Sequence, residues 1–186
     1  WFDIDWEAPG CEGRLWLPVL DRPLHAAVRD GVLRVAVDDE RPMLRHHGLA
    51  LPLSPRSHPL APAQWPAWAE RCNRSVERLH TLLQRQHYRL AWWRTAGDQV
   101  NYRRFFDINE LAALRVERDD VFAAVHVLPL RLVRAGWVDG LRIDHVDGLS
   151  SPGPYLQHLR AALDEACAAG GRDPQAVSVH VEKILA

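Results

Sequence analysis

Five side chains in this sequence have types and spacing that suit chemistry. Arg142, Asp144, His145 and Asp147 lie in VDGLRIDHVDGL, residues 138 to 149, and Glu182 lies in the closing VEKILA. Val138, Leu141 and Ile143 begin an apolar run of the kind a buried parallel strand shows, and charge then breaks it. Two neighbouring acids can break a glycosidic bond. One attacks the anomeric carbon while the other protonates the leaving oxygen, and the retaining form of this chemistry sets the carboxyl groups about 5 Å apart. The plain alternative is a solvated loop, with Glu182 paired to Lys183 or to an arginine, since structural ion pairs also hold carboxylates.

The elements that must position these residues are legible on either side. Side chains alternate faces along a strand. Over 138 to 144, Arg142 and Asp144 share one parity and Leu141 and Ile143 the other. Over 177 to 185, Val177, Val179 and Val181 share one parity and Ser178, His180 and Glu182 the other. The branched residues suit packing against outer helices. A helix is predicted over about 120 to 135, with Val121, Phe122, Val125, Leu128, Leu132 and Val133 as its stripe and a kink at Pro129. Another is predicted over about 154 to 169, opened by a proline, ended by Gly170-Gly171, and buried through Tyr155, Leu156, Leu159 and Leu163. The order helix, strand, helix, strand contains a βαβ unit, hence a parallel sheet with helices outside it. Neighbouring strands run roughly 4.8 Å apart. Asp144 and Glu182, 182 − 144 = 38 residues apart, fit one such unit and would end side by side. Arg142 would then favour the ionised form of Asp144, as a nucleophile needs. Val181, Ile184 and Leu185 would desolvate Glu182 and favour its protonated form, as an acid needs.

The earlier chain reads less clearly. Residues 1 to 64 are Pro-rich and irregular, with one strand expected over 31 to 40, a turn from Asp38 to Arg41, and a second short strand within 46 to 55. Residues 65 to 88 read as one helix, with Trp65, Trp68, Cys72, Val76, Leu79, Leu82 and Leu83 on one stripe. In QVNYRRFFDIN, residues 99 to 109, Tyr102 and Arg103 are candidate sugar contacts and Phe105 and Phe106 candidate core. Trp92 and Trp93, as neighbours, cannot both form a sugar platform in extended chain.

Composition bounds the rest. The chain has 186 residues, is 47% hydrophobic and 25% charged, and can bury a sizeable core. A net charge of −1 gives no basic field for nucleic acid or a membrane surface, and no apolar run reaches membrane-spanning length. Cys11, Cys72 and Cys167 are far apart and form no CxxC pair, so neither a disulfide framework nor a zinc site is expected, and a reducing cytoplasm is the default. His46 and His47 are adjacent, which is poor chelating geometry on one face. The first residue is Trp1 and the last residues are apolar, so the chain reads as a piece of a longer protein.

DGLRIDHVDGL followed by VEKILA resembles the α-amylase superfamily (glycoside hydrolase family 13), and within it the maltooligosyl trehalose synthases. LLQRQHYRLAWWRTAGDQVNYRRFFDINELAALR, residues 82 to 115, is similar to the stretch that leads towards their fourth barrel strand, and WFDIDWE to the segment after the third. The resemblance is dense from about residue 82 and weak from 20 to 64. It implies an α/β fold, part of a (β/α)8 TIM barrel. Residues 1 to 105 would be a domain inserted after the third strand, and residues 106 to 186 about the fourth and fifth βα units. Asp144 resembles the nucleophile, Glu182 the general acid/base, Arg142 the arginine that holds the nucleophile, and His145 a wall of the sugar site. The third catalytic acid would lie beyond Ala186. The common amylase pattern has Lys and His three and four residues after the nucleophile. Here Asp147 and Gly148 stand there, which agrees with the synthases. The implied activity moves the reducing-end α-1,4 bond of a maltooligosaccharide to an α,α-1,1 bond, with no cofactor. The alternatives are an α-glucan hydrolase and an inert carbohydrate-binding or structural piece. The stretch alone, with its barrel unclosed, is expected to be inactive.

Overall fold

The structure is a computed structural model that describes residues 1–38 and 41–183. The chain divides into two compact units, one from Ile4 to Arg103, the other joining Trp1–Asp3 to the residues from Arg104 onward. Among the described residues no helix is long and apolar enough to cross a membrane.

The first unit runs β1 (Leu15–Leu20), α1 (Leu24–Arg29), β2 (Leu33–Asp38), β3 (Arg41–His46), β4 (Leu49–Pro52), α2 (Trp65–Asn73), α3 (Val76–Gln84), β5 (Tyr88–Trp92) and the short α4 (Ala96–Gln99). The region read as irregular therefore holds regular elements. β2, β3 and β4 form an antiparallel meander. Its middle strand lies partly before the expected 46–55 segment, and the expected turn from Asp38 to Arg41 falls partly outside the described residues. β1 pairs with β5 in parallel, and the register shifts between Leu17 and Leu20, where Pro18 has no N–H to give. The helix expected over 65–88 is two helices. Ser75 is extended, and its Oγ accepts from Arg78 N at 3.2 Å, which caps α3 and breaks the run. At the end of α2 the Asn73 side chain accepts from Val35 N and donates to Val35 O, both at 2.8 Å, so it occupies hydrogen-bonding groups on β2. Leu20, Leu33, Leu44, Leu79, Leu82 and Leu90 fill the core between these elements.

The second unit holds β6 (Arg104–Phe105), β7 (Ile108–Ala112), α5 (Asp119–Arg134), β8 (Gly140–Ile143), α6 (Pro152–Ala169) and β9 (Ser178–Val181). β8 and β9 pair in parallel, with Arg142 opposite His180 and Ile143 opposite Val181. Leu141, Ile143, Val177 and Val179 belong to one apolar cluster with Phe122, Val133, Tyr155, Leu159 and Leu163 of the helices. The parity expected from sequence packs as far as Val179, while Val181, expected on the same face, is exposed at the strand end. Arg172 ties the layers at their far end, donating to the Val133 carbonyl at 2.5 Å and the Val138 carbonyl at 3.0 Å.

One buried polar pair joins α5 to α6. His126 Nδ1 lies 2.8 Å from the Phe122 carbonyl, which can only accept, so Nδ1 carries the proton. Nε2 then accepts from the Tyr155 hydroxyl at 3.0 Å. Burial, the main cause, holds His126 below the usual histidine range. The unfolded chain binds this proton at about pH 6.5 and the folded chain only lower, so stability is full above that pH and falls as pH drops through it. Urea midpoints should fall between pH 7.5 and pH 5.5, and His126→Gln should flatten that slope. Tyr155→Phe should cost about 1–2 kcal/mol by leaving Nε2 buried without its donor. A pH slope identical in the wild type and His126→Gln would refute the assignment.

Candidate active site

β8 and β9 end together, and the ladder continues one residue past both. Glu182 N donates to the Ile143 carbonyl at 2.8 Å, which sets Asp144 beside Glu182. Both lie on the strand face opposite Leu141 and Ile143. Arg142, on the same face, holds both acids. Its Nε lies 3.0 Å from Asp144 Oδ1, and its Nη2 donates to Glu182 Oε1 at 2.9 Å. The planar guanidinium fork makes this possible, since it presents donors in fixed directions along two edges. The pairing with an arginine expected of a plain loop is thus present, yet the same arginine takes Asp144 as well. The apolar setting expected for Glu182 is not seen. Its side chain is 44% exposed and ion-paired, and Ile184 and Leu185 lie outside the described residues. Pairs this exposed contribute little to folding, about 0–1 kcal/mol each. Their consequence is geometric: two carboxylates are held at one strand edge.

After Asp144 the chain turns at once. His145 adopts a left-handed backbone, φ 52°, and Val146–Gly148 form a short 3-10 turn. The His145 ring stacks on Phe106, centroids 3.7 Å apart, and meets Phe105 edge-on at 5.0 Å. Phe105 and Phe106, read from sequence as core, are therefore not core. They are 37% and 41% exposed at the tip of the β6–β7 hairpin. Arg104 braces that hairpin, donating to Asn109 Oδ1 at 2.8 Å and Asp107 Oδ1 at 3.0 Å. Gly148 is needed where it stands, because a Cβ there would come within 2.5 Å of the His145 ring. Lys183 pairs with Asp147 at 3.5 Å rather than with Glu182. The aromatic contact was missed in the sequence because the hairpin and His145 lie far apart along the chain. The available signal was an aromatic pair set between charged residues in RRFFDIN.

The structure brings Arg142, Asp144, His145 and Glu182 together. Tyr102 and Arg103 belong to the other compact unit. Tyr102 is buried there and bridges to Ile4. Asn101 beside it accepts from Trp16 N at 2.9 Å and donates to the Asp5 and Arg14 carbonyls at 2.9 and 3.0 Å. In the same unit Trp92 Nε1 donates to the Asp21 carbonyl at 3.1 Å, while Trp93 is exposed.

A curated Mycobacterium tuberculosis protein whose name assigns it to maltooligosyl trehalose synthase is 40% identical to the chain over 185 residues. That match covers 100% of the chain and 19% of the relative. The chain is a homologue of the maltooligosyl trehalose synthases. It spans about a fifth of the length of the curated relatives it matches. The solved maltooligosyltrehalose synthase from Arthrobacter ramosus is 37% identical, with a TM-score of 0.65 over 99% of this chain and 19% of that one. A further maltooligosyl trehalose synthase crystal structure is 29% identical, with a TM-score of 0.67 over 99% of this chain and 20% of that one. The mixed α/β fold is thus one that solved synthases share, and the family resemblance expected from sequence is borne out. No family model matches the chain.

Proposed function

We propose that this chain supplies two catalytic acids of a maltooligosyl trehalose synthase, Asp144 as nucleophile and Glu182 as acid/base. The observation that carries the proposal is the single arginine, Arg142, that holds both carboxylates at adjacent parallel strand ends. In this reading β8 and β9 are neighbouring strands of a (β/α)8 barrel, near its fourth and fifth units, and the acids stand at the carboxyl ends, where such barrels carry their sites. Residues up to about 105 are the insertion after the third strand, and the third acid lies beyond Ala186.

The reaction follows from the roles. An Asp144 carboxylate oxygen attacks the anomeric carbon of the penultimate sugar. The bond to the leaving glucose oxygen breaks as Glu182 gives that oxygen a proton, and a glycosyl ester on Asp144 forms. The released glucose turns and attacks through its anomeric hydroxyl. Glu182 takes that proton, and the ester bond to Asp144 breaks. Two displacements at one carbon retain its configuration. The glucose must be held and water excluded, since water otherwise wins by concentration. His145, walled by Phe105 and Phe106, offers an apolar face for this task.

The test is to supply the enzyme that carries this chain with maltopentaose and to follow reducing power and mass together. The rearrangement gives a product of unchanged mass with no reducing end, so reducing power should fall. Rising reducing power and shortened chains from the outset would replace this reading with an α-glucan hydrolase. No product of either kind would point to an inert carbohydrate-binding or structural role.

A further inference from the structure

Away from the acids, the first unit gathers Asp21, His46 and His47. One candidate ligand atom from each lies within 4.8 Å of the others. Asp21 follows the end of β1, His46 ends β3, and His47 opens the turn into β4. Adjacent residues in extended chain face opposite ways, so a His-His pair is ordinarily a poor chelate. Here His47 has a left-handed backbone, φ 50°, and the two imidazole centroids come to 4.4 Å. The fold has removed the objection that the sequence raised.

We propose that Asp21, His46 and His47 form a three-ligand site for a zinc-class divalent metal ion, with a fourth position open to water. His46 is the anchor. It is only 4% exposed. Among the described residues its buried Nδ1 has no hydrogen-bond partner. A nitrogen buried without a partner has its lone pair left for a metal ion. His47 and Asp21 are exposed, at 64% and 44% of their side chains, and can swing inward. Bonds of about 2.0–2.2 Å set how far they must close. Arg22 already holds the Asp21 carboxylate, from Nη2 to Oδ2 at 2.8 Å and from Nε to Oδ1 at 3.0 Å. Each carboxylate oxygen has a second lone pair, so the arginine orients the ligand without using it up. Two imidazoles and one carboxylate favour zinc, cobalt or nickel over magnesium or calcium, which prefer all-oxygen sites. Bound there, the ion would staple the β1 end to the β3–β4 turn.

The experiment titrates the metal-free protein with Co2+, followed by visible absorption, and with Zn2+, followed by calorimetry. Saturation at one equivalent is expected, with cobalt bands of a nitrogen- and oxygen-ligated ion and a melting temperature that rises with Zn2+ concentration. His47→Ala and Asp21→Asn change exposed side chains and leave the core intact. Each should weaken binding at least tenfold. Absence of a saturable one-equivalent phase, or an affinity unchanged in either variant, would overturn the site.

Discussion

Asp144→Asn and Glu182→Gln should each lower turnover by on the order of 10⁴-fold or more, about 5–6 kcal/mol of lost transition-state stabilisation. The amide at position 144 is nearly isosteric with the acid but carries no charge to form the glycosyl ester. The amide at position 182 has no proton to give the leaving oxygen and no lone pair basic enough to take one back. Removing either stops both half-reactions, because the same two groups serve in each. Folding should hardly notice. Both side chains are exposed and, among the described residues, pair only with Arg142, so melting temperatures should stay within a few degrees of the wild type. Rate and thermal melting measured on the same preparations separate the two effects. Substantial turnover retained in Asp144→Asn would end the nucleophile assignment.

The site was legible where its logic is local. The alternation of Leu141 and Ile143 with Arg142 and Asp144, and of Val177 and Val179 with Ser178 and His180, requires only the period of a strand, and both strands pack by that parity. Parallel pairing of β8 with β9 followed from the helix between them. What sequence could not supply was contact between distant segments. β1 was missed because Pro18 interrupts it and its partner β5 lies beyond the meander and two helices. α2 and α3 share one apolar stripe, so periodicity alone ran through Ser75; only its cap geometry ends the first helix. The aromatic nest at His145 depends on a left-handed turn and on a hairpin from another part of the chain. The same kind of turn at His47 hid the Asp21-His46-His47 cluster.

Arg142→Ala should lower turnover by about 10²- to 10³-fold, roughly 3–4 kcal/mol, while leaving the Michaelis constant within a few-fold of the wild type. The argument starts from two carboxylates on adjacent strands. Their strand spacing of roughly 4.8 Å brings both within reach of one guanidinium. In the wild type the guanidinium lies against both, Nε towards Asp144 and Nη2 towards Glu182. Without it nothing holds the two side chains side by side, they swing apart, and the attack geometry on the anomeric carbon is lost. Near-attack positioning is worth more in the transition state than in the bound complex, so the loss belongs in kcat and not in substrate binding. Arg142→Lys sharpens the test. Lysine restores a positive charge but is a point donor on a flexible stem, and it cannot span two carboxylates as the rigid fork does. It should recover no more than about a tenth of wild-type turnover, a shortfall of about 1.4 kcal/mol or more. Full recovery in Arg142→Lys would mean that charge alone matters and that the fork geometry across β8 and β9 does not.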